Sequence, residues 1–503
     1  MKIQYIINGF GAVLCACTLF SSCGDDLNAL PSQSKVDGNV VVDAKSAEIA
    51  LNGVYYQYAM CGTDYYDVAS TMCSSYYEAY PADIAGTLEY YQGAYLFEVH
   101  GNSNYASYSN WFWQSYYQAV NVTNEVIEQV EGSSDNYYSG NRKAEILGEA
   151  HAMRALSFYN IFCLFGYTWD YSSPYGIILR TQKSTVSTLP LDRSSVADTY
   201  AQILSDCDFA INNAPTSGEK YQATSWMAMG LKARLLLMRG QEGDYAEAAT
   251  LCQDIIDKGG FTLDNYNDIF HTNGLNSPEV IFGIQPNDNQ SNCYETYYYR
   301  NSPQFFPTDS MLNLMKDDPR MSEIFYPVKS MQFGFNDDGT YYIYYDTKYV
   351  IAKHLDPAKA TVNSSGTTIF SNDELEETQY QMRLSEIYLM LAEAQARQGL
   401  IDQARANLEA VEKKAGITDF TAVENATTQH DMLQQIFNEY LRNLSYECGI
   451  EHEVCLRFPE DIVLGFNPQY AVKQANVLAI PTDEFKYNNA LTADDQNPGY
   501  SAE

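Results

Sequence analysis

The groups with which this chain could do covalent chemistry are present but wrongly spaced for it. His452-Glu453 begins the pattern that holds zinc on one helical face, yet Leu456 stands where the second histidine belongs. The six histidines, His100, His151, His271, His354, His430 and His452, never fall at metal-ligand spacing. No Gly-x-Ser-x-Gly elbow, phosphate loop or Cys-x-x-Cys pair occurs, so the usual traces of a serine hydrolase, a nucleotide enzyme or a dithiol centre are missing. Asn336-Asp337-Asp338-Gly339 resembles part of a calcium loop, but Gly334 occupies the first ligand position and the bidentate glutamate is absent. A hairpin turn is expected there. Among 64 acidic residues, a carboxylate pair for glycoside hydrolysis leaves no sequence trace of its own. A surface hydrolase therefore stays open as an alternative to a chain with no catalytic residues, metal or cofactor.

Non-covalent chemistry is better provided for. The chain holds 43 tyrosines beside 22 phenylalanines and 4 tryptophans. A tyrosine ring offers a flat apolar face and one polar handle, which suits the mixed faces of a sugar ring, although most of the 43 are expected to pack the interior. Residues 61–110 and 284–380 are rich in Tyr, Asn, Ser, Gly and Asp and read as loops and small hairpins, including Tyr341-Tyr342-Ile343-Tyr344-Tyr345. Long insertions of this kind are usually functional. The candidate stacking rings are Tyr91, Tyr105, Tyr108 and Trp111 from the first and Tyr297 and Tyr299 from the second, with Asp83 and Asn110 as hydrogen-bonding partners. Trp111 is expected just ahead of a helix running from Trp113 to Val130, either as a rigid exposed anchor or as a cap over the helix start; Trp113 is assigned to the core.

The elements that must position these rings are helical. In 143–165, Ala152, Ala155, Leu156, Tyr159, Phe162 and Cys163 share one face at helical spacing. Residues 196–213 form another helix. In 224–240, Trp226, Met229, Gly230, Ala233 and Leu237 repeat the spacing, with Thr224 or Ser225 to cap the start and Gly240 to end it. Residues 243–257 follow, closed by Gly259-Gly260. After a long gap the pattern returns in 382–398, 402–415 and about 429–446. Paired helices of about 15 residues with alanines at close-packing positions and glycine-bearing turns are what tetratricopeptide-type repeats look like.

The first 23 residues bear on location. One Lys, an apolar stretch from about Ile6 to Phe20, and small residues before Cys23 read as an export signal, too short and wrongly flanked for a spanning helix. Leu19-Phe20-Ser21-Ser22-Cys23 looks like a lipobox, with 1–22 the signal peptide and Cys23 the lipidated residue. Gly24-Asp25-Asp26 resembles the short acidic tag that directs lipoproteins of Bacteroidetes-type bacteria to the outer face of the outer membrane. A formal net charge of −34 argues against nucleic acid and anionic lipid as partners. Of the cysteines beyond Cys23, most are expected to be buried free thiols, with Cys61 and Cys73 the one pair worth testing as a disulfide.

Several ordered motifs carry a resemblance. Arg383-Leu384-Ser385-Glu386-Ile387-Tyr388-Leu389, followed by Ala392-Glu393-Ala394 and by Asn407, Val411, Ala415 and Gly416, resembles the central helix motif of the SusD/RagB family. Glu149-Ala150, Arg154-Ala155, Tyr159 and Phe165-Gly166 are similar to the family's early helix, and Trp113, Tyr117 and Asn124 to the helix before it. Asp318-Pro319-Arg320 matches a family turn, and Ile480-Pro481 with Gln496-Asn497-Pro498-Gly499-Tyr500 matches its C-terminus. One departure is Asn438-Glu439-Tyr440-Leu441-Arg442, where the family often has an Arg-rich helix start.

The resemblance implies a mainly α, tetratricopeptide-like scaffold with loop-rich insertions, one SusD-like unit over 23–503 with its parts meeting near 260. It implies an outer-membrane lipoprotein, exposed to the cell exterior, that captures glycan and passes it to a SusC-type TonB-dependent transporter. Some relatives bind peptides, which is the alternative. Arg154, Asn124, Arg383 and Glu386 are expected to hold the scaffold together without touching ligand.

Overall fold

The computed structural model describes residues 41–61, 75–90, 105–284, 305–336, 338, 340–354, 361–362, 368–369, 378–470 and 477–502. Helices dominate: α1 (Ala44–Ala59), α2 (Ser75–Ala85), α3 (Tyr105–Gly132), α4 (Arg142–Phe165), α5 (Val196–Asn213), α6 (Ser225–Arg239) and α7 (Asp244–Lys258) precede α8 (Leu384–Arg397), α9 (Ile401–Lys414) and α10 (Gln429–Leu444). From α4 through α7 each helix packs on the one before it, and α7 packs directly on α8. The stack of helix pairs thus continues across the intervening segment as a tetratricopeptide-like scaffold.

Local chemistry explains the boundaries. The Thr224 side chain accepts from the Met227 N–H at the start of α6, and Gly240, at φ +59°, supplies the left-handed residue that stops it. On the same helix Gly230 lets Met382 and Ile387 approach, because a Cβ there would collide with the Met382 sulfur. Each expected repeat helix is present, its ends within a few residues of those read from periodicity.

Two expectations need correction. The segment 61–110 is not all loop: α2 lies inside it, and α3 begins at Tyr105, so Trp111 sits in the second turn of that helix and not ahead of it. Periodicity missed α2 because its buried face uses Tyr80 with small residues such as Ala79 and Ala82, and because Pro81 lies within it. The segment 284–380 contains a larger hairpin than anticipated. Strands Phe325–Phe335 and Tyr341–Ile351 pair antiparallel over 11 residues each, around the turn at Asn336 to Thr340. Val280–Ile284 pairs with Gln379–Arg383, which delivers the chain into α8.

Buried ion pairs bolt the stack together. Arg154 donates to Asp206 from Nε at 2.9 Å and from Nη2 at 2.6 Å, and to Asn124 Oδ1 at 2.9 Å, joining α3, α4 and α5. Burial pushes the Asp206 carboxyl up, but hydrogen bonds from His151 and Arg154 and their charge more than offset this and hold it below the usual carboxylate range. Arg234 of α6 donates to both oxygens of Glu386 on α8. Arg320 donates to both Asp318 and Glu439, at 2.6–2.9 Å. Glu439 is the acid in the divergent Asn438–Arg442 stretch, so that departure keeps a buried partner for the Asp-Pro-Arg turn. At the C-terminus, Asn497 donates to the carbonyls of Phe165 and Leu478 and accepts from Arg193. The motif residues read in the sequence are therefore scaffold residues, as expected.

Candidate functional site

A ligand surface needs room, shape and hydrogen-bonding groups that the fold has not already used. Two cavities among the described residues are small and lie in the core: about 30 Å³ lined by Pro81, Phe112, Cys163 and His452, and about 10 Å³ beside Arg383 and Glu447. They hold at most a water or two. The third is an open groove of about 290 Å³ between α1 and α3.

Helical spacing builds this groove. Trp111, Gln114, Ser115 and Gln118 follow one another at i, i+3, i+4 and i+7 along α3, while Tyr56, Gln57 and Met60 line the facing side at the end of α1. The inward faces of both helices are core: Phe112, Trp113, Tyr116 and Val120 on α3, Leu51, Val54 and Tyr58 on α1. That packing fixes the outward rows. Trp111 is half-buried against the core and so is held in place with part of its ring accessible. Tyr56 is 54% exposed. Between the rings stand amides: Gln114 donates to Asn110 at 3.0 Å, and Gln57 reaches Gln118 at 3.4 Å. Among the described residues no charged side chain lines the groove. Aromatic faces flanked by uncharged donors and acceptors can stack on a ring and hydrogen-bond hydroxyls at its edge.

Of the residues singled out in the sequence, Trp111 lines the groove and Asn110 supports it through Gln114. Trp113 is in the core, its Nε1 donating to Glu484 at 3.0 Å. Asp83 needs correction: it is 0% exposed within α2, where no surface ligand can reach it, because the segment forms a packed helix and not a loop. Tyr105 and Tyr108 fall on the first turn of α3, one to two turns before Trp111, with side chains outside the described residues. Tyr91, Tyr297, Tyr299, Cys23 and Cys73 also lie outside them. Cys61 is a buried free thiol whose Sγ donates to the Ser115 carbonyl at 3.3 Å.

Sequence reasoning missed Tyr56, Gln57, Met60, Gln114, Ser115 and Gln118. The signal was available for the α3 row, since it repeats at helical spacing from Trp111; the α1 row is set by tertiary packing alone. Among the described residues no group of His, Cys, Asp and Glu is arranged to hold a metal ion, and no helix is long and apolar enough to cross a membrane.

The chain matches known families along much of its length. Residues 44–237 match the SusD-like family described as starch-binding and associating with the outer membrane, and residues 328–449 match the SusD family. A SusD-like protein of Bacteroides ovatus is 28% identical over 183 residues, 34% of this chain and 32% of that protein, so the match spans about a third of the relative's length. Among solved structures, a SusD superfamily protein from Bacteroides thetaiotaomicron superimposes with a TM-score of 0.68 at 22% identity, covering 91% of this chain and 100% of the other. A SusD-like carbohydrate binding protein from Bacteroides vulgatus gives 0.63 at 20% identity, covering 82% and 83%. At these identities the likeness to the solved structures is one of fold.

Proposed function

The chain belongs to the SusD/RagB family, and from that premise we propose that it is a non-catalytic carbohydrate-binding lipoprotein of the outer membrane that captures glycan outside the cell. The observation that carries the reading is the groove between α1 and α3, where Trp111 and Tyr56 stand among Gln57, Gln114 and Gln118, with no Asp, Glu, Lys, Arg or His among the described lining residues. A neutral sugar fits that chemistry. With a net charge of −34 on the chain, an anionic glycan would meet repulsion before contact.

Asn110 holds Gln114 from the preceding turn, and Tyr108 and Tyr105 extend the proposed surface upstream on the same helix. Tyr91, Tyr297 and Tyr299 belong to the proposal as stacking rings contributed by the insertions. Cys23 carries the lipid anchor, and the broad faces of the stacked helices dock on a SusC-type TonB-dependent transporter that receives the captured glycan. Such a stable complex buries at least about 1,600 Å².

An array of neutral oligosaccharides, anionic oligosaccharides and peptides tests the ligand class. Binding confined to neutral glycans is expected; binding to peptides alone would assign the chain to the other nutrient class. Release of shorter sugars from a bound glycan would make it a hydrolase instead.

A further inference from the structure

The hairpin Phe325–Phe335/Tyr341–Ile351 has two halves of opposite character. Its base is core: Phe325, Val328, Val350 and Ile351 are buried, and the Ala352 N–H donates to the Ile324 carbonyl at 2.6 Å. Its outer half carries Phe335, Tyr341, Tyr342, Ile343 and Tyr344, all exposed. A ribbon of two strands, with no third among the described residues, is marginal by itself, and exposed apolar strand residues invite association, so such a row is costly to retain without use.

The tip is nevertheless well fixed. The Asn336 N–H donates to the Thr340 carbonyl at 2.8 Å and its side-chain amide to Thr340 Oγ1 at 2.9 Å, while Asp338 accepts from the Thr340 N–H at 2.9 Å. Tyr342 lies directly across from Gly334 in the register. A Cβ on Gly334 would fall against the Tyr342 ring closer than van der Waals contact allows, so glycine is what lets that ring lie down on the neighbouring strand. Tyr344, two residues on and therefore on the same face, brings its centroid within 5.9 Å of Tyr342 at an interplanar angle of 36°. The two rings are 49% and 45% exposed. They form a small aromatic platform with a glycine beneath one end.

From this arrangement we propose that the hairpin tip is a second carbohydrate contact, separate from the α1–α3 groove, that takes a stretch of uncharged polysaccharide across Tyr342 and Tyr344. The proposal rests on the reading of the chain as glycan-binding. Charge selects this occupant: exposed Asp346 continues the tyrosine row and exposed Asp338 caps the turn, on a chain that is already strongly acidic, so an anionic polymer is repelled. A platform held by its own turn loses little freedom on binding. Two contacts on one protein also favour long chains over short ones, since the second contact is made at high effective concentration.

Affinity electrophoresis through gels cast with starch, galactomannan, dextran, levan or mixed-linkage glucan, with polygalacturonate as the anionic control, tests this. The parent should be retarded by at least one neutral polysaccharide and not by polygalacturonate. In that gel Tyr342→Ala/Tyr344→Ala should bind about tenfold more weakly, the size expected for losing an aromatic anchor, and Tyr342→Phe/Tyr344→Phe should bind like the parent. Gly334→Val, which keeps both rings but lifts one, should also weaken binding. Unaltered melting of each variant shows that the anchored base is intact. Parent-like retardation of the double alanine variant overturns the proposal, as does retardation of the parent by none of the neutral polymers. Loss of a co-purifying membrane protein with retardation unchanged also overturns it, since the hairpin would then be a protein contact. Trp111→Ala runs in the same gels: if it alone loses retardation, the groove stands and the hairpin falls, and if the hairpin variants alone lose it, the reverse holds.

Discussion

Arg383, the residue immediately before α8, donates from Nε to Glu447 at 2.7 Å, across 64 positions of sequence. Glu447 sits between Tyr446 and Cys448, which have φ of +67° and +36°, a left-handed turn that non-glycine residues rarely adopt. The same carboxylate accepts from Lys353 Nζ. Burial pushes the Glu447 carboxyl up, yet Arg383 and Lys353 more than offset this and keep it ionised below the usual carboxylate range. One acid thus joins the hairpin's exit, the start of α8 and a strained turn after α10.

Removing one partner of so buried a pair leaves the other uncompensated. Arg383→Met should therefore destabilise the fold by about 3–5 kcal/mol, read as a lower urea midpoint. A change below about 1 kcal/mol would mean that the pair is no bolt of the scaffold.

Glycine at 148 is demanded by contact and not by backbone conformation. A Cβ there would run into the backbone at Asn213 and Ala214, which cannot rotate away as a side chain could. Gly148→Ala should cost about 1–3 kcal/mol, in spite of alanine's higher helix propensity. Thermal melting that leaves it as stable as the parent would contradict the close approach of α4 to the end of α5.

Glu412 of α9 gives a pH signature. Burial, then the nearby Glu439, pushes its carboxyl up to about 8, against the relief offered by Arg442 and Arg320. Asp318 faces the same cluster. A folded-state value above the unfolded one means that the native state holds the proton longer, so this contribution is full below the ordinary carboxylate range and is lost as pH rises toward about 8. Buried His354 and His452, both held well below the usual histidine range by burial, act in the opposite sense on the acid side. The difference between parent and Glu412→Gln isolates the acid: the variant should gain on the parent steadily as pH rises through that window. Parallel stability curves would refute the shift.

The anchor is tested apart from the fold. Cys23→Ala should release the protein from the membrane fraction and remove acyl mass from the N-terminus; unchanged fractionation without acyl mass on the parent would sink the lipobox reading. The two or more acyl chains implied would hold it there by about 0.8 kcal/mol per buried methylene.

How much of this was legible in the sequence depended on which force set each feature. The repeat helices follow from periodicity, and the end at Gly240 and a cap at Thr224 or Ser225, which the structure resolves to Thr224, could be read from local chemistry. Arg154, Asn124, Arg383 and Glu386 could be assigned to the scaffold because they fall in motifs on the repeat helices, where a buried polar group needs a partner. The site was harder. Trp111 could be picked out as an aromatic, but its groove exists only because α1 packs beside α3, a tertiary contact with no local trace. Asp83 was misread for the opposite reason: its polar, tyrosine-rich surroundings look like a loop, whereas tyrosines such as Tyr80 are the core there.

The α1–α3 groove is the proposed site for a neutral glycan, with Trp111 as its anchor. Calorimetry with the neutral oligosaccharide found on the array, on the parent, on Trp111→Ala and on Gln114→Ala, tests it most directly. The parent should bind at micromolar to millimolar affinity, about −8 to −4 kcal/mol. Trp111→Ala should weaken this by about 2 kcal/mol, roughly thirtyfold, and Gln114→Ala by about 1 kcal/mol, with both variants still folded. If the two folded variants bind the oligosaccharide as the parent does, the groove is not the site and the account of this surface is wrong.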